Sequence, residues 1–190
     1  KDICFQFPTY PNQILANDFS KFNKFVLKKD VREGEPILKK NLKVINERDI
    51  LRKIREKIKQ LSLKAKIVIP QNARIEISHH YGLNRFNKFG LSMITVYNNN
   101  YCKKLLFLLT RQMHPEQYHK VKKETFFILY GKVKLNLRIK KKSKSRILIL
   151  KQGQIYTIKP NEIHSFSPVG NSGAVIEELS TESFKNDSFY

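Results

Sequence analysis

Cysteine is nearly missing from this chain of 190 residues, which has only Cys4 and Cys102. Their separation matches no zinc-ligand spacing and no disulfide framework, so a cysteine-based metal finger and a disulfide-stapled scaffold are both excluded. Two separate free thiols in a reducing compartment are expected. Long apolar runs are missing too, and none reaches the ~20 residues that cross a bilayer as a helix. No secretory signal pattern opens the sequence. These absences make a cytoplasmic location, away from membranes, the expectation. Helix-turn-helix, zinc-finger and RNA-recognition signatures are absent, and no internal repeat is evident.

Basic charge is abundant. Lys and Arg number 37 against 16 acidic residues, for a formal net charge of +21. Such a balance suits nucleic acid, an anionic membrane surface or acidic small molecules. Its quality argues against the first, because only nine of the 37 are arginine, the residue that duplex readers use for bidentate contacts to guanine. The lysines are spread along the whole chain together with much Asn and Ile, as in proteins of AT-rich genomes. The charge therefore reads as background plus attraction for an anionic or amino sugar, and nucleic acid is not an expected partner. A hydrophobic fraction of 41% supports one substantial domain plus a smaller one. A sequence opening at Lys1 reads as part of a longer polypeptide or as carrying a leader scar.

Residues 1–24 carry scattered aromatics broken by Pro8 and Pro11, the pattern of an extended arm. Phe25–Val31 reads as a strand, followed by a turn at Arg32–Pro36 and extended pieces at Ile37-Leu38 and Asn41–Ile45. Asn46 reads as the N-cap of an amphipathic helix over 47–62, with Ile50, Leu51, Ile54, Ile58 and Leu61 on one face. From Lys66 onward the period changes to two. Ile67–Ile69, Ala73–Ser78, Leu91–Tyr97, Lys104–Thr110, Thr125–Tyr130, Lys132–Ile139, Arg146–Leu150, Gln154–Ile158, Ile163–Ser167 and Ala174–Leu179 read as strands, and residues 83–89 as a single helical turn. Many short strands with regular turns predict a mainly β fold, a closed barrel or a jelly roll. The expected domains are an arm and β-clip over 1–46, a linking helix over 47–65 and a barrel over 66–190.

Two histidine-bearing segments lie between these strands. The first runs His114-Pro-Glu-Gln-Tyr-His119-Lys-Val-Lys-Lys-Glu124 and reaches a turn at Gly131. The second runs from Gly153 through Pro160-Asn161 to His164. Imidazole and carboxylate together suit a divalent transition metal such as Mn, Fe, Co, Ni or Zn. Antiparallel strands can bring both segments into one barrel mouth, where small barrels hold ligands. Arg111, His114, Tyr118, Tyr130 and one of His79 and His80 are candidate substrate contacts. Glu178, or its neighbour Glu177, is a candidate buried general base.

These segments resemble the paired motifs of the cupin superfamily. The first motif is a His-x-His pair followed by Glu and, after six more residues, Gly. His119 matches its second His, Glu124 its Glu and Gly131 its Gly, while Gln117 stands in place of the first His. The second motif, Gly, five residues, Pro-x-Gly, two residues and His, is matched by Gly153 and His164. Pro160 is displaced by one, and Asn161 takes the Gly place, where it tolerates a left-handed backbone. The resemblance implies a jelly roll whose metal ligands are Gln117, His119, Glu124 and His164, with His114 able to substitute for Gln117. Upstream, Phe25–Leu42 resembles the opening of the SAF (antifreeze-like) domain. Taken together, the chain resembles the C-terminal portion of sialic acid (nonulosonic acid) synthase-like proteins, without their catalytic barrel.

Two functions follow from these resemblances. One is a metal-dependent sugar isomerase or epimerase in nonulosonic-acid-type carbohydrate biosynthesis; cupin isomerases of the lyxose type share this ligand layout. The other is a non-catalytic module that binds a sugar or holds a homodimer together beside an upstream synthase domain. Whether the chain is an enzyme is left open between them.

Overall fold

The structure, a computed structural model, describes Phe25–Leu27, Leu42–Val44 and residues 47–190 apart from Asn72, His80, Lys141, Lys142 and Lys185. The chain divides into two compact units, Lys1–Ile50 and Leu51–Tyr190. In the first, β1 (Phe25–Leu27) pairs antiparallel with β2 (Leu42–Val44), Phe25 opposite Val44. The arm, most of the SAF-like stretch and the Asn46 cap lie outside the described residues.

Helix α1 spans Glu47–Lys64 and buries Ile54, Ile58 and Leu61, the apolar stripe expected of its spacing. It ends in a hydrogen-bonded left-handed cap. Lys66 takes φ 56°, and the amides of Lys66 and Ile67 donate back to Leu63 O and Ser62 O at 3.1 and 3.0 Å. That cap explains a difference from the sequence reading: Ile67–Ile69 forms no strand, because the Ile67 amide is used to close the helix.

The remaining elements are β3 (Ile75–His79), a 3₁₀ turn (Leu83–Arg85), α2 (Phe86–Phe89), β4 (Gly90–Asn99), β5 (Tyr101–Leu108) and β6 (His114–Gln117). They continue with β7 (Glu124–Tyr130), β8 (Lys132–Arg138), β9 (Arg146–Lys151), β10 (Ile155–Ile158), β11 (Ile163–Pro168) and β12 (Ala174–Thr181). The short β6, which contains Pro115, carries too little alternation to be read as a strand from sequence. No helix among the described residues is long and apolar enough to cross a membrane.

The strands form two antiparallel sheets, ordered β10-β7-β12-β5-β4-β3 and β6-β11-β8-β9. Alternation decides which side chains meet between them. Phe126 and Ile128 of β7, Leu106 and Leu108 of β5 and Ile176 of β12 point inward from the larger sheet. Val133, Leu135 and Leu137 of β8 and Phe166 of β11 do so from the smaller, and all join one buried cluster. The fold is therefore a mainly β jelly roll. It differs from the closed cylinder expected as one alternative, because among the described residues no hydrogen-bonded ladder joins the two sheets.

Tight turns set how closely neighbouring strands approach. Gly173, at φ +73°, precedes β12, and a Cβ there would lie 2.7 Å from the Leu108 carbonyl oxygen. Gly153 also has positive φ, but open space surrounds it. Gly173→Ala is therefore expected to cost about 2–4 kcal/mol, strain plus backbone collision, and Gly153→Ala only about 1 kcal/mol. Thermal or urea denaturation of the two variants checks that order.

Candidate metal centre

The first segment reaches the site through β6 and the loop that follows it, and the second through β11. These strands are neighbours, with His164 directly opposite Gln117. Asn161 turns the chain just before β11 at φ 64°, and its amide donates to the His119 carbonyl at 2.6 Å. Glu124 opens β7, in the larger sheet. Side chains from both sheets thus converge: His119, Glu124 and His164 are 3, 1 and 1% exposed, and their ligand atoms lie within 4.8 Å of one another.

Backbone carbonyls settle where the imidazole protons sit. His119 Nδ1 is 2.5 Å from the Asp187 carbonyl oxygen and His164 Nδ1 is 3.0 Å from that of Glu162. A carbonyl only accepts, so each Nδ1 carries a proton and each Nε2 is turned inward; in the neutral ring that atom is a bare lone pair. Burial pushes the His164 imidazole below its ordinary pKa, which keeps it neutral. The two Nε2 atoms face the Glu124 carboxylate, His119 at 3.4 Å from Oε1 and His164 at 3.3 Å from Oε2. Burial works to raise the Glu124 carboxyl, but the positive charge of the neighbouring Lys122 ammonium works against it, and the group lies well below the usual carboxylate range. His119 Nε2 and Glu124 Oε2 are buried without a hydrogen-bond partner. Electron-rich atoms held face to face fit a divalent cation bound by two imidazoles and a carboxylate. The Gln117 amide sits beside them, its Nε2 3.2 Å from His164 Nε2.

Next to this centre is a lysine that the sequence reading missed. Lys122 is buried, forms a close ion pair with Glu124 Oε1 and reaches Glu178 Oε1 at 3.3 Å. Burial works to lower the Lys122 pKa, but the Glu178 and Glu124 carboxylates raise it, so it is an ammonium. Burial, then the neighbouring Glu124 carboxylate, pushes Glu178 up. Strand register explains the cluster. Ser180 of β12 lies opposite Glu124, so Glu178 is its diagonal neighbour on the same face.

These groups open into a cavity of about 330 Å³, lined among others by His114, Gln117, His119, Lys122, Glu124 and Glu178. His114 is buried and stacks on Phe166 with ring centroids 4.8 Å apart. Three of the other expected substrate contacts do not line this cavity. Arg111 is exposed at φ 66° beside a separate groove with Arg85 and Lys88. Its turn places it before β6, pointing away from the cavity's lining. Tyr118 stacks on Phe189 at 5.2 Å, and Tyr130 ends β7 next to the Gly131 turn, at the opposite end of that strand from Glu124. His80 lies outside the described residues.

No protein-family model matches the chain. It is 30% identical over 167 residues to a D-lyxose ketol-isomerase from Thermofilum sp. (strain ex4484_79), covering 75% of this chain and 92% of the relative. The chain belongs to the D-lyxose ketol-isomerase family. A second relative, a D-lyxose/D-mannose isomerase from Thermosediminibacter oceani, is 32% identical over 157 residues, or 70% of this chain and 86% of the relative. Neither relative supports the SAF or sialic-acid-synthase resemblance. Among solved structures, L-ribose isomerase from Acinetobacter sp. DL28 with L-ribose superposes with a TM-score of 0.59 at 12% identity, covering 72% of this chain and 81% of that one. The Geodermatophilus obscurus L-ribose isomerase gives 0.58 at 12% identity, covering 72% and 84%. At such identity these likenesses show the shared cupin-type fold.

Within this family member, His119→Ala and His164→Ala are each expected to lower bound Mn²⁺ or Co²⁺ by about ten-fold or more. Gln117→His, which adds a stronger ligand, should raise affinity by roughly ten-fold. Elemental analysis and metal titration of the purified variants give the answer; unchanged metal content in both alanine variants would remove the centre.

Proposed function

We propose that the chain is a metal-dependent aldose–ketose isomerase acting on a neutral free sugar of the lyxose or mannose class. The observation that carries this reading is the Lys122–Glu178 pair, buried in one cavity with His119 and Glu124 of the His119–Glu124–His164 cluster. Its family membership points the same way.

Converting an aldose to a ketose moves one hydrogen from C2 to C1 and one proton from O2 to O1. Two protein groups are therefore needed, one for carbon and one for oxygen. Glu178 takes the C2 proton as a carboxylate and returns it to C1. Its pKa, raised by burial, matches it to a weak carbon acid better than an ordinary surface carboxylate. Lys122, held as an ammonium, donates to the sugar oxygen that gains charge and recovers a proton from the neighbouring hydroxyl. His119, Glu124 and His164, with Gln117 beside them, would hold a divalent cation, which would supply Lewis-acid polarisation of the sugar carbonyl and hydroxyl. His114 offers a flat, buried face on the same wall.

The charges lining the cavity nearly balance. Glu76, Glu124 and Glu178 stand against Lys104 and Lys122, with no arginine. No arginine fork lines the cavity to grip a phosphate or carboxylate, and with a divalent cation bound the lining would carry a surplus of only about one positive charge, which favours a neutral sugar over the anionic one expected from overall composition.

The test is turnover. Protein loaded with Mn²⁺, Co²⁺, Fe²⁺, Ni²⁺ or Zn²⁺ is expected to interconvert D-lyxose with its ketose, or D-mannose with fructose, with exchange of the C2 hydrogen into solvent. Glu178→Gln should reduce kcat by about 10²–10⁴-fold, and Lys122→Met by a similar factor, with smaller effects on KM. Absence of turnover on every aldose with every metal would leave a non-catalytic sugar-binding module.

A further inference from the structure

The segment 182–190, which follows β12, lies outside both histidine-bearing motifs, yet it is built into the candidate site. Ser183, Phe184, Ser188 and Tyr190 line the cavity. Ser183 is fixed at the rim by a reciprocal pair with Asn98, both hydrogen bonds 3.1 Å long. Phe189 and Tyr118 exchange backbone hydrogen bonds of 2.9 and 3.0 Å, and Lys120 Nζ lies 4.5 Å over the Phe189 ring.

Asp187 is the centre of this attachment. Its carboxylate accepts three successive amides: Lys120 N at 2.9 Å, Val121 N at 3.3 Å and Lys122 N at 2.9 Å. Consecutive amides turned onto one anion form a nest, which fixes the local backbone. Its own carbonyl accepts the Nδ1 proton of His119 at 2.5 Å. One residue therefore sets two things, the tautomer and direction of a metal-side imidazole and the path of the loop that delivers Lys122 between Glu124 and Glu178.

We propose that Asp187 is a positioning residue for the isomerisation, its carboxylate holding the 119–122 loop so that His119 Nε2 faces Glu124 and the Lys122 amine stays beside Glu178. This rests on the isomerase reading for its kinetic consequence but not for its metal-binding one. A carboxylate is needed because both of its oxygens are used by amides. The asparagine side chain offers one oxygen and turns an N–H against a donor. Exchange at this position thus loosens the loop while leaving the His119 backbone contact available.

The test compares Asp187→Ala and Asp187→Asn with the parent full chain. Cobalt(II) is the probe, titrated by its visible absorption, alongside kcat and KM for D-lyxose. The cobalt dissociation constant is expected to rise about ten-fold in Asp187→Ala, with a changed absorption band. The same variant should lose about ten-fold or more in kcat with KM within about three-fold. Asp187→Asn should fall between the two, and it decides the matter if the alanine variant does not fold. A lowered melting temperature with cobalt affinity and spectrum unchanged would show a structural role only and overturn the proposal. If the parent converts no sugar, the isomerase reading fails by itself, and cobalt affinity and spectrum still decide whether Asp187 orients His119.

Discussion

The site depends on where two protons sit. His119 and His164 each give the Nδ1 proton to a backbone carbonyl, and this leaves both Nε2 lone pairs aimed at Glu124. With the protons on the other nitrogens, the same three residues would be a satisfied hydrogen-bonded cluster with no affinity for a cation. The carbonyls of Glu162 and Asp187 therefore convert a core polar group into a candidate metal centre, and the jelly roll's task is to present those carbonyls in register.

Burying charge beside this centre has a cost that the sequence must offset. An isolated carboxylate in the sheet interior would lose several kcal/mol of hydration. Glu124 and Glu178 share Lys122 as their common partner, but one ammonium cannot fully compensate two carboxylates. The imbalance shows in opposite directions: Glu124 is held low and Glu178 is pushed high. A divalent cation among the histidines and Glu124 would remove this deficit. The Lys122–Glu178 pair and the candidate metal centre thus share their electrostatics through the Lys122 contact with Glu124.

Legibility from sequence followed periodicity and spacing. His119, Glu124 and His164 could be picked out because imidazole and carboxylate recur at defined distances from turn glycines. Glu178 could be picked out because a carboxylate on an apolar strand is conspicuous. Lys122 was hidden by composition, since in a chain with net charge +21 one more lysine carries no signal. Asp187 was hidden by chain distance, as it meets the 119–122 loop only through tertiary contact. Arg111 and Tyr118 misled because sequence proximity to the motif was taken for proximity in space. The left-handed turn before β6 sends Arg111 outward, and the stacking of Phe189 claims Tyr118. The strand expected at Ile67–Ile69 failed for a local reason, the helix cap that consumes its first amide.

The contrast between exterior and interior charge bears on what the cavity selects. Among the described residues the lysines lie largely on exposed faces, such as the outer side of α1 and the rims of the hairpins, where water and salt screen them within about 8–10 Å. Inside the cavity two lysines stand against three glutamates, and the low dielectric makes those few charges count for more than the many outside. On the proposed isomerase reading, recognition in this interior would come from hydroxyl hydrogen bonds and from a bound cation's grip on adjacent oxygens. Both suit an uncharged polyol, whose orientation is set by several such contacts at once. Net charge describes the protein's surface, and it is the balance within the cavity that supports the proposed neutral sugar.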